Sequence, residues 1–146
     1  NMEFLNQKAT IVFGELLNRI ENGYLKIENV PYMPLTMELI GVGIETPWGM
    51  ADLYSLCHYY EQNGDLMQDP EMCFLVTDNR NGFNADFGKL KIAPYMFQQA
   101  NLGIYQDSIK IENSKLTKFL RNQQKQQTDF ANTWLTNIRE QGFLTK

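Results

Sequence analysis

Four carboxylates fall within eleven residues of one another, at Glu61, Asp65, Asp69 and Glu71, with Asn63 among them. Oxygen ligands gathered on a turn are the donor set of a hard divalent cation. A bound Mg²⁺ would there stabilise charge in phosphoryl transfer. Asp69 and Glu71 are two residues apart, so on a strand both would project to the same side. The competing reading is a solvated hairpin tip whose acids bond their own backbone, as turn residues do. Under that reading backbone N–H groups, Asn63 and His58 compensate the carboxylates. A nuclease of the Asp, Glu-x-Lys kind needs a lysine two residues after the glutamate; Cys73 stands there.

His58, the only histidine, is a second candidate, as general base or metal ligand. It lacks a second histidine for a histidine-based metal site. Its neighbour Cys57 would point to the opposite face of a strand, which rules out a nucleophile–base pair between them. A hydrogen-bonded structural histidine is the plainer expectation. The tyrosines form a third group: Tyr60 beside the acidic stretch and Tyr105 further on would suit a binding surface or rim packing. The loop from Asp78 invites comparison with a calcium loop. Arg80 falls where an oxygen ligand is needed and no glutamate closes it, so it reads as a turn. No Gly-rich phosphate loop, Gly-x-Ser-x-Gly elbow or Cys-x-x-Cys pair occurs.

The elements that must position these residues follow from periodicity. Leu5, Ala9, Val12, Phe13, Leu16, Leu17 and Ile20 mark one face of a helix over residues 3–21, stopped by Asn22-Gly23. Tyr24–Glu28 and Leu35–Val42 alternate as strands, with Gly41 and Gly43 suggesting a bulge. Ala51–Gln62 reads as a strand with Tyr54, Leu56, His58, Tyr60 and Gln62 on one face. Asn63-Gly64 is a strong hairpin dipeptide and Met72–Thr77 resumes a strand, which makes residues 51–77 a hairpin with an acidic tip. Short strands are expected at Leu90–Ile92 and from Ile104 to Ile111 around a break. A long C-terminal helix is expected to start at Asn113 or Ser114 and to end at Gly142, with Phe143 and Leu144 folding back. Its middle, residues 122–128, is polar all round, which predicts docking at its two ends. Leu16, Leu39, Phe74 and Trp134 should share one core.

Composition bounds the rest. A chain of 146 residues with 43% hydrophobic content suits one domain spanning residues 1–146. A net charge of −4 gives no footprint for a phosphate backbone, so there is no strong nucleic-acid signature. No run approaches the length of a membrane span. Cys57 and Cys73, each in a strand-like run, read as buried free thiols. Asn1 ahead of Met2 reads as a tag remnant before a natural, cytoplasmic start.

The central stretch resembles a known pattern. Pro34-Leu35 through Ile40 and Ser55 through Met72, above all His58-Tyr59-x-Glu61-Gln62-Asn63-Gly64-Asp65-Leu66-Met67-x-Asp69-Pro70-Glu71-Met72, are similar to an uncharacterised domain family of bacterial plasmids, conjugative elements and phages. Gly103-x-Tyr105-Gln106 also resembles that family; the likeness spans roughly residues 33–107 and leaves out the C-terminal helix. It implies a mobile-element accessory protein and assigns no activity.

Together these features predict an α+β domain: a curved antiparallel sheet of four to six strands flanked by the N- and C-terminal helices. The leading expectation is a non-enzymatic binding or interaction module without a cofactor. His58, Tyr60, Glu61, Asn63, Asp65, Asp69, Glu71 and Tyr105 are its candidate binding residues. Its partner would be a protein, a small molecule or a second copy of the chain. The alternatives are a metal-dependent, nuclease-like hydrolase at the acidic tip and a regulator that docks partners on its polar-centred C-terminal helix.

Overall fold

A computed structural model describes residues 1–146. Helix α1 (Gln7–Leu17) begins where Asn6 accepts the Ala9 N–H at 2.9 Å, a side-chain cap. It buries Ala9, Val12, Phe13 and Leu16 completely. It ends at Leu17, earlier than the periodicity suggests. Asn22 and Gly23, at φ 52° and 76°, instead make the two-residue turn that leads into β1 (Tyr24–Ile27).

Strands β2 (Leu35–Thr46), β3 (Gly49–Gln62), β4 (Asp65–Asp78) and β5 (Leu90–Gln99) pair antiparallel in sequence order. Asn63 and Gly64, with φ 53° and 84°, form the tight β3–β4 turn that the dipeptide predicts. Three short strands follow: β6 (Ile104–Asp107), β7 (Ile109–Glu112) and β8 (Lys115–Phe119). The sheet order is β6-β5-β4-β3-β2-β8-β7, with β1 on β2, eight strands against the four to six expected. The surplus over six comes from Ile104–Ile111, which splits into β6 and β7, and from residues 113–119. Asn113 and Ser114 do not cap a helix; at φ 51° and 60° they turn β7 into β8. The three-residue spacing of Leu116 and Phe119 imitates a helix, but the segment pairs as a strand.

The β2–β3 register shifts twice, between Leu39 and Gly41 and between Gly41 and Ile44. Gly43 sits at φ 72°, and a Cβ on Gly41 would meet Leu53 Cδ1 at 3.0 Å. The resulting bend carries Glu45 alongside Lys115, the sole bridge between β2 and β8 and the only parallel contact in the sheet. β6 and β7, the two ends of the strand path, are separated in sequence by Ser108 alone, so the sheet curls back on itself.

Two cores result. On one face both helices pack over Leu35, Met37, Leu56, Met72, Phe74 and Ile92. Inside the curl, Cys73, Leu75, Ala93 and Tyr95 meet Ile44 and Leu116. Leu16, Phe74 and Trp134 share the first core as expected. Leu39 does not: it lies at the bulge, half-buried, where β2 leaves the helix-covered face.

Helix α2 (Arg121–Glu140) ends before Gly142, which takes φ 86° and folds Phe143 back into the core. The polar middle of α2 is where the sequence expectation fails most. Gln124, Gln127 and Thr128 are buried, and the helix docks through them rather than at its ends alone. Gln124 Oε1 accepts the Glu3 N–H at 2.9 Å, while its Nε2 donates to Glu3 O at 2.9 Å and Pro94 O at 3.0 Å. Gln127 accepts from Ser108 Oγ at 2.6 Å and donates to Gln106 O at 3.0 Å. Side-chain amides are thus matched to backbone groups, which removes the usual cost of burying them.

Candidate functional site

The β3–β4 hairpin outruns its neighbours. β2 last pairs with it at His58, and β5 at Glu71. Residues 59–68 pair only with each other, as Tyr59↔Gln68, Tyr60↔Met67, Glu61↔Leu66 and Gln62↔Asp65. They form a two-stranded arm. Facing residues share a side of the ribbon, so Tyr60, Gln62, Asp65 and Met67 lie on one side and Tyr59, Glu61, Leu66 and Gln68 on the other. At the arm's root the register shifts between Cys57 and Tyr59, and Asp69 with cis Pro70 stands opposite His58.

The root is held by two sets of contacts on opposite faces. On the helix side, His58 is 7% exposed and packs against Trp134 and Phe143, at ring distances of 5.7 and 5.3 Å. Its Nδ1 is 3.2 Å from the carbonyl oxygens of Met33 and Pro34. Both partners can only accept, so Nδ1 carries the proton and donates. Burial lowers the pKa of the ring; the two carbonyls and Asp69 oppose that shift without overcoming it. His58 lines a cleft of about 210 Å³ with Tyr32, Pro70, Trp134 and Asn137. It is a buried, hydrogen-bonded packing residue of the kind that the plainer expectation describes.

On the other face, Glu71 accepts from Ser55 Oγ on one carboxylate oxygen and from Gln98 Nε2 at 2.9 Å on the other. Gln99 Nε2 donates to Asp69 at 2.9 Å. Cys57 faces Glu71 across the strands and Cys73 lies two residues on. Burial, with the Glu71 charge second, pushes each thiol up to about 12. Tyr105 stands opposite Gln98 and is 63% exposed, its hydroxyl pKa raised by partial burial and by Asp107.

The sequence candidates therefore do not form one site. Glu61 and Asp65 sit near the turn on opposite sides of the arm, and Asn63 occupies the turn itself. Asp69 and Glu71 sit at the root, and their partners are neighbouring side chains rather than the backbone, Asn63 or His58. No group of three or more His, Cys, Asp or Glu residues is placed to hold a metal ion. Ser55, Gln98 and Gln99 escaped the sequence reading. The β3–β4 register brings Ser55 to Glu71, and the β4–β5 register, which carries its own shift between Cys73 and Phe74, brings Gln98 and Gln99 to Glu71 and Asp69. Asp78, the start of the supposed calcium loop, is taken by Arg80 at 2.9 Å.

No helix is long and apolar enough to cross a membrane. No curated protein and no solved structure matches the chain. A family model does match, over residues 8–144. That stretch runs from the first turn of α1 to the residues after α2, well beyond the part of the chain that carried the resemblance, and includes the arm and both sides of its root. The chain belongs to the family described as Domain of unknown function (DUF6908).

Proposed function

We propose that the chain is a non-enzymatic binding module whose recognition surface is the β3–β4 arm. The observation that carries this reading is the projection of residues 59–68 past both neighbouring strands. An isolated two-stranded ribbon contributes little to a fold by itself. Here a tight turn and a bonded root hold it out from the body. Tyr59, Tyr60 and Met67 are only half-buried on it, and Leu66 is 52% exposed. Aromatic residues and methionine are enriched at protein interfaces. The charges on residues 59–69 are Glu61, Asp65 and Asp69, with no lysine or arginine. The matching occupant is a protein surface that is apolar at its centre and basic at its rim.

The hydrolase alternative requires the carboxylates to share a cation. Glu61 and Asp65 face away from each other across the arm, and Asp69 and Glu71 already accept from amide and hydroxyl groups. A regulator that docks partners on the polar centre of α2 is disfavoured because Gln124, Gln127 and Thr128 of that centre are buried, bonded to Glu3, Pro94 and Ser108, which leaves only Asn122, Lys125 and Gln126 exposed there. The likeness of residues 58–72 to a mobile-element family supports an accessory role in a bacterium. Two unpaired, buried cysteines suit a reducing, cytoplasmic setting.

The test is site-specific photo-crosslinking in the cell of origin. A crosslinker at Leu66 is expected to capture a discrete protein, and one at Phe83, exposed on a distant loop, is not. The capture should vanish in Glu61→Lys/Asp65→Lys. Those side chains make no hydrogen bond or ion pair within the fold, so melting should be unchanged. An adduct of twice the chain mass would identify a second copy as the partner. Equal capture from both positions, or capture insensitive to charge reversal, would sink the proposal.

A further inference from the structure

At the end of the β3–β4 hairpin remote from the arm, α1 stops short of the sheet edge. It leaves a cleft of about 420 Å³ floored by Asp52 and Tyr54 of β3 and Asp78 of β4, with Arg80 beside them. The volume lies in the range of small-molecule sites, roughly 300–1,000 Å³. Its polar groups divide into a closed pair and an open pair.

The closed pair is Asp78 and Arg80. The guanidinium donates to both Asp78 oxygens, at 3.0 and 2.9 Å, and to Asn18 Oδ1 and Asn84 O at 2.7 and 2.8 Å. Arg80 holds the Asp78 carboxyl below its ordinary range, the mark of a formed ion pair. With its fork spent on the protein, the only cationic side chain of the cleft is not free to receive an anion.

The open pair is Asp52 and Tyr54. Asp52 accepts the Gly43 N–H at 3.1 Å on Oδ1, which leaves Oδ2 without a protein partner. The Tyr54 hydroxyl makes no hydrogen bond within the fold. Burial and the Asp52 and Asp78 charges raise its pKa against the opposing Arg80 charge, and all four side chains line the same cleft. After the Asp78–Arg80 pair cancels, one negative charge remains, beside an aromatic ring and the apolar side chains of Leu17, Ile20 and Met50.

We propose that this cleft binds a small organic cation, a primary ammonium on a short apolar body. The Asp52 carboxylate is its counter-charge, the Tyr54 hydroxyl its second acceptor, and the Tyr54 ring face its neighbour. An ammonium supplies three donors for these two acceptors, and its attraction to an aromatic face adds to the ion pair. The alkyl part covers the Leu17, Ile20 and Met50 walls. A divalent metal is the wrong occupant, because only one carboxylate is uncommitted and hard cations take six or more oxygens. The site is independent of the arm, at the opposite end of the same hairpin.

The experiment titrates the full chain with n-butylammonium and follows the Met50 methyl and Tyr54 ring resonances. Saturable shifts confined to the cleft are expected. n-Butanol and butyrate, which match the alkyl body without the positive charge, should produce none. Asp52→Asn retains an oxygen for the Gly43 N–H and so keeps the bulge, yet should weaken binding about tenfold or more, the scale of a lost charge-assisted contact. Tyr54→Phe should weaken it several-fold while leaving the ring in place. Nα-acetyl-lysine methylamide separates two sources of the same chemistry: binding equal to butylammonium assigns the cleft to a partner's lysine side chain, weaker binding to a free amine. Equal response to butanol and butylammonium in the unaltered chain overturns the proposal without any variant, and so does undiminished binding in Asp52→Asn.

Discussion

Cys57 and Cys73 are surrounded by strand side chains and by the Glu71 carboxylate, and both disfavour a thiolate. The thiol pKa values of about 12 lie above the ordinary value of 9.0. An unfolded chain therefore releases these protons at lower pH than the folded one, so the folded state binds more protons in between and stability falls as pH rises. The loss begins at about pH 9 and amounts to at most about 1.4 kcal/mol per pH unit for each thiol. Denaturant melts of the unaltered chain should show this slope between about pH 9 and 10. A Cys57→Ala/Cys73→Ala chain should show it much reduced. An equal slope in both would mean that the thiols are hydrated in the folded state. The same shielding makes native Cys57 and Cys73 slow towards thiol reagents.

At the scale of elements, Gln124 is one of the amides that dock α2. Gln124→Leu keeps the approximate volume but removes the bonds to Glu3 and Pro94, and it leaves the buried Pro94 carbonyl and the part-buried Glu3 N–H and carbonyl without their partner. The cost should be about 2–4 kcal/mol, since each stranded buried polar group costs roughly 1–3. Gln126→Leu, on the exposed side of the same turn, should stay within about 0.5 kcal/mol. Urea denaturation of the two variants checks the contrast. Gln124 also shows why some of the fold was illegible in the sequence. The N-terminal helix, the hairpin and the Gly41–Gly43 bulge announce themselves through local periodicity and turn chemistry and were expected in about their places, whereas the C-terminal helix starts at Arg121 rather than at Asn113 or Ser114. A glutamine that reaches across more than a hundred residues to Glu3 has no local signature; its polarity argues for solvent until the partner is known. The grouping of the candidate site residues was illegible for the same reason. The Asn63-Gly64 turn was legible from its φ preferences, and His58 has the hydrogen bonds of the structural reading. The partners of Asp69 and Glu71 depend on which residues β5 brings alongside, which a strand shift decides.

At the scale of the whole molecule, the curled sheet has one thin seam. β3, β4 and β5 share long ladders, whereas β8 meets β2 through the Glu45–Lys115 bridge and the Glu45 N–H to Ser114 O bond at 2.8 Å. Regions with few long-range hydrogen bonds open at low free-energy cost. Amide hydrogen exchange should therefore be fastest, among the strands, in β7 and β8, and slowest at Leu56, Phe74 and Leu75. Protection in β8 equal to that in β4 would show that the curl opens only with global unfolding.

The joint at Ser108 also bears on how the protein is made. Ser108 lies where β6 passes into β7, with its hydroxyl bonded to Tyr95 O and Gln127. Part of what covers the inner face of β4 and β5, namely Ile109, Ile111 and Leu116, and the longer of the two helices on the outer face are encoded after it. During translation the chain emerges N-terminus first and domains fold as units. A nascent chain that has reached only residue 107 carries the β2–β5 meander without Ile109, Ile111 and Leu116 over Cys73, Leu75 and Tyr95 on one side and without α2 over Met72 and Phe74 on the other. Completion of the domain thus waits on residues 108–146. A ribosome stalled within that stretch would hold out a sheet with part of its apolar surface open on both faces, the kind of species that chaperones bind.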